Sequence, residues 1–340
     1  MSKIHEVAKR AGVAPITVSR VINSTGYISE KTRLKVEEAI REVGYVPNVV
    51  ARSLRIKRTK TLALVITDIT NPFFTIVARG VEDTANEAGY SVFFCNTDES
   101  EEKEEKYIQL ILQKQVDGIL LVPAKQTANS VNLVINQRKP IVILDRWIPT
   151  PVDIVQCDSE GGAYQLVNLL LNLGHKHIVM INGPDDVSTS IERMEGYRRA
   201  MRENGLMDYE QVHFGKFNQS SGYEITKRII QQNPKPTAIF AANNLIALGT
   251  LMALDNLGLH VPQDVAVVGF DDLPPNLVVN PILTVASQPA YEMGRKATQL
   301  LLERLENKNG EECLNQVVKL PVELIVRSSS GGKIISNLKT

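Results

Sequence analysis

The chain has 340 residues, 43% of them hydrophobic, which is more than one ordinary core requires and predicts two or three domains. Its net charge is zero, but residues 1–60 carry +8 and the rest −8, the asymmetry expected of a phosphate-binding module joined to a domain that does not bind nucleic acid. Its apolar runs are too short for a membrane helix and the N-terminus lacks a signal-peptide layout, so we expect a cytoplasmic protein with no membrane partner.

The first residues show the pattern of a helix-turn-helix. Apolar residues at helical spacing predict a short first helix, ended by Gly12: Ile4, Val7, Ala8 and Ala11. Pro15 suits the first turn of a second helix, whose buried stripe is Val18, Val21 and Ile22. The residues outside that stripe are expected to meet base edges and phosphates: Pro15, Ile16, Thr17, Ser19, Arg20 and Asn23. Among them, Arg20 is the candidate for a bidentate bond to guanine.

A third helix and a short basic segment follow. Ser29 is expected to cap a helix that runs to about Val43 and ends at Gly44. Asn48 then begins one or two possible helical turns that end in basic residues, and a helix this short needs DNA and a second copy to become ordered. A plain linker is the alternative interpretation of the same segment.

These residues resemble the lac/gal repressor (LacI/GalR) family. The matching runs are collinear and dense: Ile4-His5-Glu6-Val7-Ala8-Lys9-Arg10-Ala11-Gly12-Val13, Thr17-Val18-Ser19-Arg20-Val21-Ile22-Asn23, Gly44-Tyr45-Val46-Pro47-Asn48 and Ala51-Arg52-Ser53-Leu54. The resemblance implies a recognition helix in the major groove and paired hinge helices in the minor groove of a palindromic operator. It adds Ala51, Arg52, Leu54 and Arg55 as DNA contacts, with Leu54 as a wedge between base steps. Ala14 departs from the family, which usually has a capping serine there.

Beyond residue 60, short apolar runs alternate with helix-length amphipathic segments. The predicted strands are Leu62 to Thr67, Ser91 to Cys95, Ile119 to Val122, Ile141 to Leu144, Ile178 to Ile181, Val212 to Phe217, Ala238 to Ala241 and Val265 to Phe270. This alternation predicts parallel sheets covered by helices, and two doubly wound lobes give each sheet an ordinary size. The predicted fold is thus a small all-α headpiece followed by a two-lobed α/β body.

Polar residues follow many of these strands, at the end where open α/β sheets bind ligands: Asp68, Asn96, Asp145, Asn182, Asn243 and Asp271. Each could instead begin a turn or cap a helix, so their repetition at one topological position is the informative feature.

This half also resembles the family's periplasmic-binding-protein-like regulatory domain. Its motifs include Asn71-Pro72-Phe73-Phe74, Gly174-His175, Arg193 with Gly196-Tyr197, Val268-Gly269-Phe270-Asp271-Asp272 and Gln288-Pro289. The resemblance implies an effector site at Arg193, Asn243, Asp271 and Gln288. Phe73, Phe74 and Phe217 are candidates for facing a sugar edge or a flat base, although core packing is the alternative, and Asp145-Arg146 is a further crevice pair.

The resemblance also supplies domain boundaries. It implies a headpiece in residues 1–46, a hinge helix in 47–58 and an effector-binding and dimerisation domain in 60–340. Within that domain, the N-lobe is expected in about 60–160 and 291–321, and the C-lobe in about 161–290 and 322–340.

Other functional classes have less support. The chain has no G-x-G-x-x-G, P-loop, G-x-S-x-G or H-E-x-x-H motif, so no enzyme is predicted, and the scattered histidines and three distant cysteines predict no metal or cofactor. A sugar-binding transport protein, which would share the two-lobed body, would need an export signal. We therefore expect a homodimeric repressor of carbohydrate-utilisation genes, allosterically controlled by a sugar or sugar acid, with a nucleobase-responsive corepressor system as the alternative.

Overall fold

A computed structural model describes residues 3–23, 25–45, 58–273, 281–307 and 314–331, in two compact units, Met1–Thr59 and Lys60–Thr340. In the first unit, helices α1 (Lys3–Ala11), α2 (Pro15–Asn23) and α3 (Glu30–Val43) enclose a small core centred on Val7, Val18 and Val36. The Ser29 hydroxyl accepts a hydrogen bond from the Thr32 amide at the start of α3, and Gly44, at a φ of +59°, ends it in the left-handed conformation that glycine adopts without strain. The predicted start and end of this helix are confirmed.

The described residues of the second unit form two six-stranded sheets. The first sheet has the order β11-β5-β4-β3-β1-β2, and all its neighbouring strands are parallel. Its strands are β1 (Thr61–Ile66), β2 (Ser91–Asn96), β3 (Gly118–Leu121), β4 (Ile141–Leu144), β5 (Asp153–Cys157) and β11 (Val317–Leu320). The second sheet has the order β12-β10-β9-β8-β6-β7 and is parallel except for β12. Its strands are β6 (Ile178–Asn182), β7 (Gln211–Phe214), β8 (Ala238–Ala241), β9 (Ala266–Phe270), β10 (Thr284–Ser287) and β12 (Glu323–Ile325).

Helices connect these strands and cover the sheets. They are α4 (Pro72–Glu87), α5 (Glu101–Gln113), α6 (Asn129–Asn136), α7 (Ser159–Asn172), α8 (Ser188–Glu203), α9 (Gln219–Ile229), α10 (Asn244–Asn256) and α11 (Ala290–Glu306). In β1, Leu64 packs in the same apolar cluster as α4 and α11, while Val65 packs in the cluster of α5 and α6. Alternate residues of one strand thus face helices on opposite sides, which is the doubly wound architecture that the sequence predicts.

The chain passes between the two sheets after β5, after β10 and after β11. These three crossings connect the two sheets within one compact unit. The crevices at the carboxyl ends of the strands of both sheets therefore belong to the same unit. No helix in the described residues is long and apolar enough to cross a membrane.

The structure corrects the predicted strands in two respects. β7 ends at Phe214, not at Phe217, because after the Gly215 amide bonds to the Asn182 carbonyl the chain leaves the edge of the sheet and Asn218 caps α9. The strands β5, β10, β11 and β12 were not predicted. In β5, the buried Asp153 and Gln156 interrupt the apolar run that marks the other central strands.

Candidate functional site

A cavity lies between the two sheets, and every residue proposed from the sequence as an effector contact lines it. About 420 Å³ of empty space, including the mouth, is lined by Asp68, Asn71, Phe73, Phe74, Glu99, Asp145, Arg146, Thr189, Arg193, Phe217, Asn243, Asp271 and Gln288. Glu99 and Thr189 are the lining residues that sequence reasoning missed, because neither belongs to a motif nor directly follows a predicted strand.

Two buried carboxylates stand at equivalent positions in the two sheets. Asp145 directly follows β4 and Asp271 directly follows β9, and both have a positive φ, +65° and +66°. Their amides bond to the neighbouring strand, at the Val155 and Ala286 carbonyls. Burial raises the pKa of Asp145, and it raises the pKa of Asp271 to about 6, against the attraction of Arg193.

Arg193 is the cation that faces both carboxylates. It projects from α8, is 3% exposed, donates from Nη1 to the Ala242 carbonyl at 2.7 Å, and has its guanidinium 3.9 Å from the centre of the Phe270 ring. The carbonyl and the ring fix the guanidinium plane before any ligand arrives.

Four buried polar atoms of the cavity lining have no hydrogen-bond partner among the described residues: Asp145 Oδ1, Arg146 Nε, Arg193 Nε and Gln288 Oε1. Gln288 holds its orientation by donating from Nε2 to Asp271 Oδ1 at 2.6 Å. Because buried polar groups in native proteins are nearly always hydrogen-bonded, these two acceptors and two donors are complementary to a hydroxyl-bearing ligand.

Arg146 has its own carboxylate partner. Its Nη1 and Nη2 atoms donate to the two oxygens of Glu99, both at 2.7 Å, and Nη1 also donates to the Pro123 carbonyl. Both Nη atoms therefore bond to the protein, while Nε has no hydrogen-bond partner among the described residues and lies 3.8 Å from Asp145 Oδ2. With Asp145, Asp271, Glu99 and Asp68 against two arginines, the cavity has an excess of negative charge.

Aromatic rings form the apolar part of the wall. Phe73 and Phe74, in the first turn of α4, meet edge to face with ring centres 5.1 Å apart. Phe217 lies in the loop after β7, and a Cβ added at Gly183 would come within 2.3 Å of its ring. Gly183 thus leaves the space that Phe217 occupies, a dependence between distant residues that the sequence alone does not show.

The polar residues at strand ends divide into two groups. Asp68, Asp145, Asn243 and Asp271 line the cavity, and Asn243 also caps α10 by accepting from the Ile246 amide. Asn96 and Asn182 do not line the cavity and instead bond to loop or helix backbone: Asn96 accepts from the Ile69 amide, and Asn182 donates to the Ser190 carbonyl. For these two residues the alternative of a structural turn or loop role fits the structure better.

In the headpiece, α2 displays part of the proposed DNA surface. Pro15 and Arg20 are exposed, Ile16 is 59% exposed, and Thr17 and Ser19 are half-buried. Asn23 is the last residue of α2. The proposed contacts Ala51, Arg52, Leu54 and Arg55 lie outside the described residues.

Comparisons with known proteins agree along nearly the whole chain. A family model described as bacterial regulatory proteins, lacI family, matches residues 3–48, and one described as periplasmic binding proteins and sugar binding domain of LacI family matches residues 59–328. The repressor PurR of Pasteurella multocida is 37% identical over 97% of this chain and 98% of its own. The ribose operon repressor of Halalkalibacterium halodurans is 36% identical over 98% of each chain. A Lac repressor dimer bound to operator and the anti-inducer ONPF superimposes with a TM-score of 0.84 at 27% identity, covering 95% of this chain and 97% of that one.

Proposed function

The chain belongs to the LacI family of bacterial regulatory proteins, and we propose that it is a homodimeric repressor of carbohydrate-utilisation genes whose operator binding is controlled by a neutral sugar. That it is a DNA-binding transcriptional repressor follows from the family. The observation that carries the choice of effector is the cavity in which two buried carboxylates, a fixed guanidinium and a glutamine oxygen converge.

A neutral sugar suits this arrangement better than a sugar acid. Vicinal hydroxyls donate to Asp145 and Asp271 and accept from Arg193, and the rings of Phe73 and Phe217 cover the apolar faces of a sugar. A ligand carboxylate would enter a cavity with excess negative charge. It would also have to compete with Glu99 for the Arg146 fork.

A nucleobase effector is the second candidate, supported by the relative named PurR. Phenylalanine rings stack on purines as readily as they cover sugars. Calorimetric titration with D-ribose, D-glucose, cellobiose, adenine and guanine separates the two. If only a purine releases or absorbs heat, the effector is a nucleobase and the sugar proposal is wrong. The assignment of the chain as a DNA-binding regulator would be unaffected.

The experiment that tests the DNA-binding role is selection of bound duplexes from a random DNA pool at moderate salt, with and without these ligands. We expect a two-fold symmetric motif with a flexible central step and an affinity that falls steeply with added salt. A selected pool with no shared sequence in every ligand condition would contradict an operator-specific repressor.

Replacing Arg20 with alanine is expected to weaken operator binding at least tenfold and relax selection at one base pair per half-site, since a bidentate contact to guanine is worth about 1–3 kcal/mol. Arg10→Ala is the matched control. It removes the same charge from α1, where Arg10 is paired with Glu42 at 2.6 Å. Fluorescence anisotropy with operator and with scrambled duplexes measures both, and equal losses from the two variants would assign Arg20 to general phosphate contact.

The edge of the first sheet offers a dimer contact. Phe93 and Phe94 on the edge strand β2 are 39% and 40% exposed, and edge strands with exposed apolar residues readily associate. We expect Phe93→Ser with Phe94→Ser to weaken dimerisation at least tenfold in analytical ultracentrifugation. Phe214→Ser, on the edge strand β7 of the second sheet, is the comparison. If only that variant dissociates, the dimer contact lies at the second sheet.

A further inference from the structure

A buried hydrogen bond beside the cavity joins the two halves of the body, the half built on the first sheet and the half built on the second. Asn244, the first residue of α10, donates from Nδ2 to Asn71 Oδ1 at 2.9 Å. Asn244 is 0% exposed and Asn71 is 5% exposed. Asn71 precedes α4, which packs on the first sheet, while α10 packs on the second. The bond therefore crosses the cleft between residues 173 positions apart in the sequence.

Both partners are directly connected to cavity residues. Asn71 caps α4 by accepting from the Phe73 amide at 3.0 Å, and Phe73 and Phe74 form part of the wall. Asn244 follows Asn243, which lines the cavity and caps α10. Asn244 itself is not among the lining residues. Its side chain thus contacts the opposite half of the body without forming a wall of the cavity.

The bond depends on the distance between the halves. Asn71 Oδ1 accepts from both the Phe73 amide and Asn244 Nδ2, so separation of the halves leaves the α4 cap intact and breaks only the bond across the cleft. Other polar contacts also cross the cleft: Lys125 pairs with Asp186 at 2.9 Å, and the Trp147 amide donates to Ser188 Oγ. The Lys125–Asp186 pair is more than 40% exposed at both ends, and such surface pairs contribute little.

We propose that the Asn71–Asn244 hydrogen bond is a clasp that favours the closed cleft, so that Asn244 sets effector affinity from outside the cavity. The proposal rests on the proposed function only for its effector readout. A ligand that requires closure binds more weakly when the closed state is less populated, because its apparent affinity is proportional to the fraction of molecules that are closed. Asn244 is accordingly a positioning residue and makes no contact with the ligand.

The test uses Asn244→Ala in the full-length protein, with Asn256→Ala as the matched control. Asn256 ends the same helix and donates within the second half, to the Tyr223 hydroxyl, at an exposed position. Spin labels at Lys125→Cys and Asp186→Cys, on opposite sides of the cleft, report the gap by pulsed electron paramagnetic resonance. Cys313 is replaced by serine, and burial raises the pKa of Cys95 to about 11 and also that of Cys157, which slows their labelling. Excess unlabelled chain keeps labelled pairs within one subunit.

Without any ligand, Asn244→Ala is expected to increase the long-distance population, and Asn256→Ala to leave it unchanged. Affinity for whichever probe sugar or purine binds should fall about three- to tenfold, the effect of losing one buried hydrogen bond. Identical distance distributions in the two variants would overturn the clasp, and the result does not depend on which ligand binds. If Asn244→Ala unfolds, Asn244→Ser keeps a small polar residue that is too short to reach Asn71 and gives the same comparison.

Discussion

Replacing Asp271 with asparagine is expected to weaken effector binding by about 100-fold while raising thermal stability at neutral pH. The carboxylate is 5% exposed and accepts from Gln288, and in the proposed complex it also accepts from ligand hydroxyls. Hydrogen bonds to a charged group are worth about 1.5–3 kcal/mol each, and asparagine retains one oxygen without the charge. Asparagine is also suited to the φ of +66°, at which alanine would be strained.

The stability gain follows from the sign of the pKa shift. The folded-state pKa of about 6 lies above the ordinary value of 3.8, so the folded protein holds a proton that the unfolded chain releases. Stability from this group therefore falls as the pH rises from about 4 to about 6, and above that range the full penalty of the buried charge remains. Asparagine removes that penalty, a change on the order of 2–3 kcal/mol. In the unsubstituted protein, effector affinity should decline as the pH falls through about 6, because protonation removes the acceptor.

Calorimetric titration and thermal unfolding at pH 5 and pH 7.5 measure both effects. The neighbouring Asp272→Asn is the control, since Asp272 is paired with Arg327 at 2.6 Å and does not line the cavity. It should lower stability slightly and leave the affinity unchanged. Unchanged effector binding in Asp271→Asn would place the effector elsewhere, and a lower melting temperature at pH 7.5 would show that Arg193 compensates the buried charge fully.

Helix caps and apolar runs, which act within a few residues, were sufficient to predict several helices, strands and cavity residues. Ser29 and Gly44 mark the ends of α3 because a hydroxyl cap and a left-handed glycine act within a few residues of their own helix. The apolar runs of β3, β4 and β8 indicate central strands because both of their faces are buried. Asp145 and Asp271 could be proposed as cavity residues because both directly follow such strands.

Longer-range dependences could not be predicted in this way. β5 contains the charged residue Asp153, so its sequence does not look like that of a buried strand. Asp153 is nevertheless buried, because its charge is compensated by Arg304, 151 residues later, at 2.7 Å. Arg146 looked available to a ligand until the structure placed Glu99 against its fork. The space for Phe217 depends on Gly183, and the Asn71–Asn244 bond depends on two helices that no sequence spacing relates. Each of these pairs is a tertiary contact without a local pattern.

Replacing Arg193 with leucine is expected to abolish effector binding and to lower stability far more at pH 8 than at pH 5. The positive charge of Arg193 stabilises the ionised forms of both Asp145 and Asp271 and so lowers the pKa of each. Removing one member of such a buried charged cluster costs about 3–5 kcal/mol of stability. Without Arg193 the pKa of Asp271 rises further above its ordinary value. In the unsubstituted protein, the Asp271 carboxyl with its pKa of about 6 is mostly protonated at pH 5 and ionised at pH 8, so it attracts Arg193 mainly at the higher pH and the stability loss grows as the pH rises.

Urea unfolding at both pH values and one protein concentration measures this loss, because the stability of a dimer depends on concentration. Adding Asp271→Asn to the leucine variant should restore part of the stability at pH 8, since it removes a buried carboxylate that has lost the attraction of Arg193, whereas Asp145 keeps its ion pair with Arg146. The double-mutant cycle then gives the coupling between Arg193 and Asp271. An equal loss at both pH values, with no recovery in the double variant, would mean that Arg193 stabilises the fold through its stacking on Phe270 and its bond to the Ala242 carbonyl, with little contribution from its charge.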